Sequence, residues 1–243
     1  MNAMSSQLLA LQQADSFFPA GAVACSSGLE TLLADGQLPL PADTQRRREP
    51  PRQRQARSDV LGRWLHDQLC QRWNSFDRAM LVAAWDAVGD NPTLLQLDAL
   101  TEAMSLAREL RDASRRSGIS LLGVHADLET AGARDWQQRI ADGQACGHLP
   151  VVQGLLWRNL GMSRDDCQLA GAHAFCTGLV SAALRLGVLG HVEAQRVLGS
   201  LHPLLLHLLA EEPPAAEDAH SFTPLSEVAV MRHEHQALRL FAN

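Results

Sequence analysis

GHLPVVQGLLWRNLGMSRDDCQLAGAHAFCTGLVSAALRLGVLG, from Gly147 to Gly190, decides the fold. Ala172, Phe175, Cys176, Leu179, Val180, Ala183 and Leu184 recur at helical spacing and make a broad apolar face. The opposite side carries Gly171, Ala174, Gly178, Ser181 and Ala182, which are small rather than charged. A helix of this kind is expected to be packed around most of its circumference, with neighbours approaching closely. Ser163, ahead of Asp165 and Asp166, supplies an N-cap and negative charge for the positive end of the helix. Gly187 and Gly190 stop it. The reading is a central buried helix over about Asp165–Leu186, coated by the other amphipathic segments.

Upstream of this helix, Ser5 to Asp15 has helical spacing, and Pro19 and Gly21 break it. The following turn, rich in Gly and Ser, lets Ser26 or Ser27 cap a second helix near Gly28. Such a turn serves either as a ligand-binding loop or as a tight helix connection. Residues 38–58 hold four prolines and six arginines and lack a hydrophobic period, so a flexible loop is expected there. Helical spacing resumes over Val60–Val88, through Leu61, Trp64, Leu65, Leu69, Trp73, Phe76, Met80, Leu81 and Trp85. Asn91-Pro92 marks a turn, with Thr93 as a cap. Arg108, Arg111 and Arg115 then form a row that suits an acidic partner, a phosphate or intrahelical pairing.

Downstream, Pro203 is expected to kink or split the helix over His191–Ala210. An acidic linker and a C-terminal tail occupy 211–243, where Thr223-Pro224 suits a helix start. The tail is apolar enough to fold back on the core or to dock on a partner. No segment alternates in the manner of a strand, Tyr is absent and Ile occurs twice. The expectation is an all-α chain, with residues 1–243 as a single helical-bundle domain.

Composition narrows the function. At 46% apolar and 20% charged residues the 243-residue chain can bury a substantial core. The net charge of −6 argues against nucleic-acid binding. All 21 basic residues are Arg, which excludes a lysine-dependent phosphate loop and lysine Schiff-base chemistry. The N-terminus does not read as a signal peptide, and no apolar run looks long enough to span a membrane. The five cysteines are scattered, as free thiols in a reducing cytosol would be, and Cys176 reads as core. A cytoplasmic location is expected.

Site motifs are sparse. His233-Glu234-His235 has the wrong spacing for a helical zinc pair, and His202 and His207 are separated by Pro203 and three leucines. The single histidines at 66, 125, 148, 173, 191 and 220 are read as lone residues, so no metal, cofactor or catalytic site is assigned. Cys25, in its Ser/Gly-rich turn, is read as structural.

Several stretches together resemble a known family. DSFFPAGAVACSSGLE (Asp15–Glu30), ARELRDASRRSG (Ala107–Gly118), GHLPVVQGL (Gly147–Leu155), GLVSAALRLGVLGHVEAQRVL (Gly178–Leu198) and PLSEVAVMRHEHQALRLF (Pro224–Phe241) resemble urease accessory protein F, UreF. The resemblance implies an all-α, non-enzymatic chaperone for metallocentre assembly. It further implies binding to accessory protein D (called H in some organisms), recruitment of the GTPase accessory protein G, and nickel delivery to apo-urease. A homodimer within that assembly is implied too. Its partner-binding candidates are Pro19, Gly21, Ser26, Gly28, Glu30, Arg232, His233 and Glu234. Regulation of the partner GTPase through an arginine, and nickel carriage by the chain itself, are the alternatives. Departures are Cys25 where the family often has His, Glu227 for Asp, and Ala237-Leu238 for Tyr-Ser. The insertion at 38–58 is also longer than the family's pattern.

Overall fold

The computed structural model describes residues 2–19, 25–38, 51–233 and 240–241. In chain order these form α1 (Ala3–Ala14), α2 (Leu29–Ala34), α3 (Pro51–Gln68), α4 (Arg78–Asp86), α5 (Asn91–Met104) and α6 (Arg108–Asp127). Then come α7 (Ala133–Ala141), α8 (Leu149–Leu160), α9 (Arg164–Arg185), α10 (His191–Ala210) and α11 (Pro224–Arg232). A π-helical stretch, Leu69–Asp77, joins α3 to α4, and a 3-10 turn, Ala216–Asp218, precedes α11. The fold is all-α, with no strand among the described residues.

Helix α9 is the central element the pattern predicts. Ser163 caps it by accepting from the Asp166 amide at 3.1 Å, and Gly187 ends it in the left-handed region at φ 73°. Its buried residues divide between two apolar clusters. Cys167 and Ala170 join Leu81, Val152, Leu156 and Trp157. Ala172, Cys176, Leu179, Val180 and Ala183 join Leu61, Leu65, Val197 and Leu201. Burial pushes the Cys167 and Cys176 thiols up to about 12, so both are inert core residues.

Two expectations about this helix need correction. Gly171 is tightly packed against Leu81, Trp73 and Trp157, but Ala174, Gly178 and Ser181 stay half-buried. They line a cavity of about 220 Å³ with Phe18, Leu121, Gln153 and Trp157, because side chains this short do not reach the facing helices. Moreover, α9 is long and apolar enough to cross a membrane by length and composition. Its apolar surface is instead used in the core, where more than half of that stretch is buried.

The segment from α3 to α4 changes sides through its wide turns. Leu61, Trp64, Leu65, Leu69 and Trp73 face the α10 side of the core. Phe76, Met80 and Leu81 face α8 on the other. A π-helix inserts extra residues per turn and so rotates the apolar stripe. The Gln71 and Ser75 carbonyls of this stretch accept the amides of Phe222 and His220, both at 2.9 Å. The acidic stretch before α11 is thereby tied down. Arg78 reinforces the join: its buried guanidinium donates to the Leu208 and Glu211 carbonyls at 2.7 and 2.6 Å, and to Asn74 and Gln168 at 2.8 Å each.

Helix α3 begins at Pro51, earlier than its apolar period predicts, so residues 51–58 of the expected loop are helical. Pro suits a first turn, and Arg and Gln are good helix formers without an apolar face. Residues 39–50 of that loop lie outside the described residues. Asp90, rather than Thr93, caps α5, accepting from the Thr93 amide at 3.3 Å and its hydroxyl at 2.7 Å. Helix α10 continues through Pro203 as one 20-residue element.

Candidate functional site

The α2 segment and the C-terminal segment meet on one face. Gly28, at φ 85°, opens α2, and a Cβ there would lie 2.7 Å from the Ser226 carbonyl of α11. Ser226 in turn accepts from Trp64 Nε1 at 3.1 Å and Gln68 Nε2 at 2.9 Å. Ser26 is buried, and its Oγ accepts from the Glu30 amide at 3.4 Å.

Glu30 is the joint between these two segments. Its Oε2 lies 2.9 Å from His233 Nε2, and its Oε1 accepts from the Leu240 amide at 2.8 Å. Glu30 is 8% exposed and His233 1%. Phe241 is buried beside them, with Arg185 stacked over its ring at 4.3 Å. Arg232 reaches Asp35 at 3.0 Å and keeps 59% of its side chain exposed.

Ser26, Gly28, Glu30, Arg232 and His233 therefore share one neighbourhood. Pro19 is placed differently: it is exposed, with its carbonyl accepting from Ser120 on α6 at 3.4 Å. Gly21 and Glu234 lie outside the described residues. Above the buried joint, Leu225, Val228 and Met231 form an exposed row at i, i+3, i+6 along α11, flanked by exposed Phe222 and Leu240. A buried polar anchor beneath an exposed apolar stripe is the form of a docking face.

The anchor is testable by itself. Glu30→Ala leaves the His233 ring and the Leu240 amide without their acceptor, and is expected to loosen the C-terminal end by about 2 kcal/mol. The measurement is trypsin cleavage after Arg232, expected to accelerate while the far-ultraviolet signal of the helices stays unchanged.

A second polar centre lies where α5, α6 and the start of α8 converge. Asp98 is buried and accepts three consecutive amides, from Cys146 at 2.5 Å and from Gly147 and His148 at 2.9 Å each. One turn on, Glu102 Oε2 lies 2.8 Å from His148 Nε2. The Ser114 hydroxyl lies 3.2 Å from His148 Nδ1 and accepts the Leu149 amide at 3.1 Å. Arg111 and Arg115 of the predicted row converge on Glu102, while Arg108 pairs with Asp112 along the helix. The row thus meets a carboxylate of the neighbouring helix α5.

Burial alone would raise Glu102, but hydrogen bonds from Arg115 and His148 outweigh it and hold the carboxyl low. Burial lowers His148, against the pull of Glu102. The pair at neutral pH is therefore a neutral imidazole donating through Nε2 to a carboxylate. Cys146 is raised, first by burial and then by the charges of Asp98 and Glu102. His148, read as a lone residue in the sequence, stands with Cys146 and Glu102. The Cys-x-His spacing was the available signal.

Comparison with known proteins places these features in context. A family model described as UreF matches residues 56–202. A urease accessory protein UreF of Cereibacter sphaeroides is 31% identical, over 98% of this chain and 99% of the relative. One from Paenarthrobacter aurescens is 30% identical over 96% of each chain. Another from Trichodesmium erythraeum is 28% identical over 99% of this chain and 98% of the relative.

Proposed function

Because the chain belongs to the UreF family, we propose that it serves urease maturation as a scaffold without catalysis of its own. On this reading it acts in the cytoplasm, binds accessory protein D (H), recruits the GTPase accessory protein G, and supports nickel insertion into apo-urease. It works as a homodimer within that assembly.

The observation that carries the reading is the exposed α11 row of Leu225, Val228 and Met231, set on the Glu30–His233 joint. Apolar side chains held in a fixed line offer contact area at little ordering cost. Arg232 at the margin adds charge complementarity, which favours specificity over affinity.

The test is capture of accessory proteins D and G by the full chain. Truncation after Ala219 would remove Ala229, Val230 and Phe241 from the core, so exposed-residue variants are the cleaner probe. Leu225→Asp combined with Val228→Asp is expected to weaken capture of accessory protein D by at least about tenfold, with the melting temperature unchanged. Full capture by that variant would move the docking face elsewhere, and no capture by the unaltered chain would overturn the reading.

A second reading, control of GTP hydrolysis through an arginine, draws on the exposure of Arg232. Arg232→Ala separates the two: partner turnover that stays the same removes this second role.

A further inference from the structure

We propose that Glu102, Cys146 and His148 form a binding site for one divalent first-row transition ion. Their donor atoms all lie within 4.8 Å of one another. Imidazole, thiolate and carboxylate together suit a borderline ion such as zinc rather than magnesium or calcium. Bond lengths of about 2.0–2.3 Å to all three require the donors to close in by only about 1 Å.

The groups behind the three donors hold them in place, as the partners of metal-binding side chains do. Asp98, through the three amides it binds, fixes the backbone that carries Cys146 and His148. The Ser114 hydroxyl can accept at His148 Nδ1 as readily as it can donate there, because it is a rotor with both capacities. Glu102 and Cys146 are half-buried, so solvent reaches the site and water can complete a fourth position.

Arg111 and Arg115 stand against this ion by charge. Arg111 approaches Oε1 of Glu102, and Arg115 bridges both oxygens. Two anionic ligands, with the Asp98 carboxylate behind them, offset that cost. The ion takes the place of the proton between His148 Nε2 and Glu102 Oε2 and of the Cys146 thiol proton. The imidazole then carries its proton on Nδ1, which donates a hydrogen bond to the Ser114 hydroxyl. One proton is released to solvent for each ion bound.

The inference rests on these side chains and not on the scaffold reading, so partner capture and ion binding can fail separately. The probe is Co²⁺ titrated into the full chain, followed by its thiolate-to-cobalt absorption and by equilibrium dialysis. The unaltered chain and Cys70→Ser are expected to bind one equivalent with that absorption. Cys146→Ser should abolish the band, and Glu102→Gln should weaken binding roughly ten- to a hundredfold.

Absence of a thiolate band in the unaltered chain overturns the proposal. So does a band that survives Cys146→Ser but disappears in Cys70→Ser, because His66 and Cys70 also approach, at 3.9 Å. If Cys146→Ser does not fold, the unaltered chain still decides: Co²⁺ must slow alkylation of Cys146 relative to Cys25, and equal rates refute the site.

Discussion

Gly154→Ala is expected to destabilise the protein by about 3 kcal/mol, which at this chain length lowers the melting temperature by roughly 10 °C. The change adds a single methyl group. On helix propensity alone it should help, since Ala exceeds Gly by about 1 kcal/mol in a helix interior. Packing reverses the sign. A Cβ at Gly154 would lie 2.4 Å from the Leu81 carbonyl and 2.8 Å from the Trp85 amide nitrogen.

Both obstacles are backbone atoms of α4, so no rotamer change relieves them. Helices α4 and α8 would have to separate where Leu81, Ala84, Val151 and Leu155 interlock in the core. Thermal unfolding followed by circular dichroism checks this. Gly62→Ala is the matched control, because nothing lies within 4 Å of its added Cβ. A stabilised Gly154→Ala protein would mean that the α4–α8 contact is looser than described.

Asp98→Ala is expected to cost about 4 kcal/mol, on the basis of roughly 1–3 kcal/mol for each buried donor left without an acceptor. The Asp98 side chain is 1% exposed and holds the amides of three successive residues. Removing it strands donors at the entrance to α8, where Gly147 and His148 are buried and only Cys146 is within reach of solvent. The helix start should fray first, which shows as faster amide exchange at Gly147 and His148 before global melting. Asp98→Asn keeps the size but has one acceptor oxygen in place of two, so an intermediate loss is expected. Equal exchange in Asp98→Ala and the unaltered chain would show that the amides find other partners.

How much of this could be read from the chain depends on the range of each interaction. Helix α9 was legible because its evidence is local: apolar spacing, Ser163 as a cap and Gly187 as a stop. The start of α11 at Thr223-Pro224 was legible for the same reason. The π-helical stretch was not. Trp73 and Phe76 stand three apart, as in any helix, and only the switch of clusters between Trp73 and Phe76 shows the extra turn.

The candidate face was half legible. The UreF-like motifs marked Glu30 and His233, but the bond joining them spans 203 residues, and no period or spacing reports that. Glu102 is likewise 46 residues from His148. The emptiness beside Ala174 and Gly178 was misjudged because small side chains mean close approach only where a neighbour fills the gap, as at Gly171.

The reach of Glu30 also governs timing during synthesis. Its two acceptor bonds go to residues 203 and 210 positions later. On a ribosome adding about 5–20 residues per second, α2 emerges and waits at least about ten seconds for the segment that covers it. The face bearing Leu225, Val228 and Met231 is set in place only when His233 and Leu240 have left the exit tunnel. A chain terminated before Leu240 therefore lacks the finished face, because the Leu240 amide is one of the two donors that Glu30 holds.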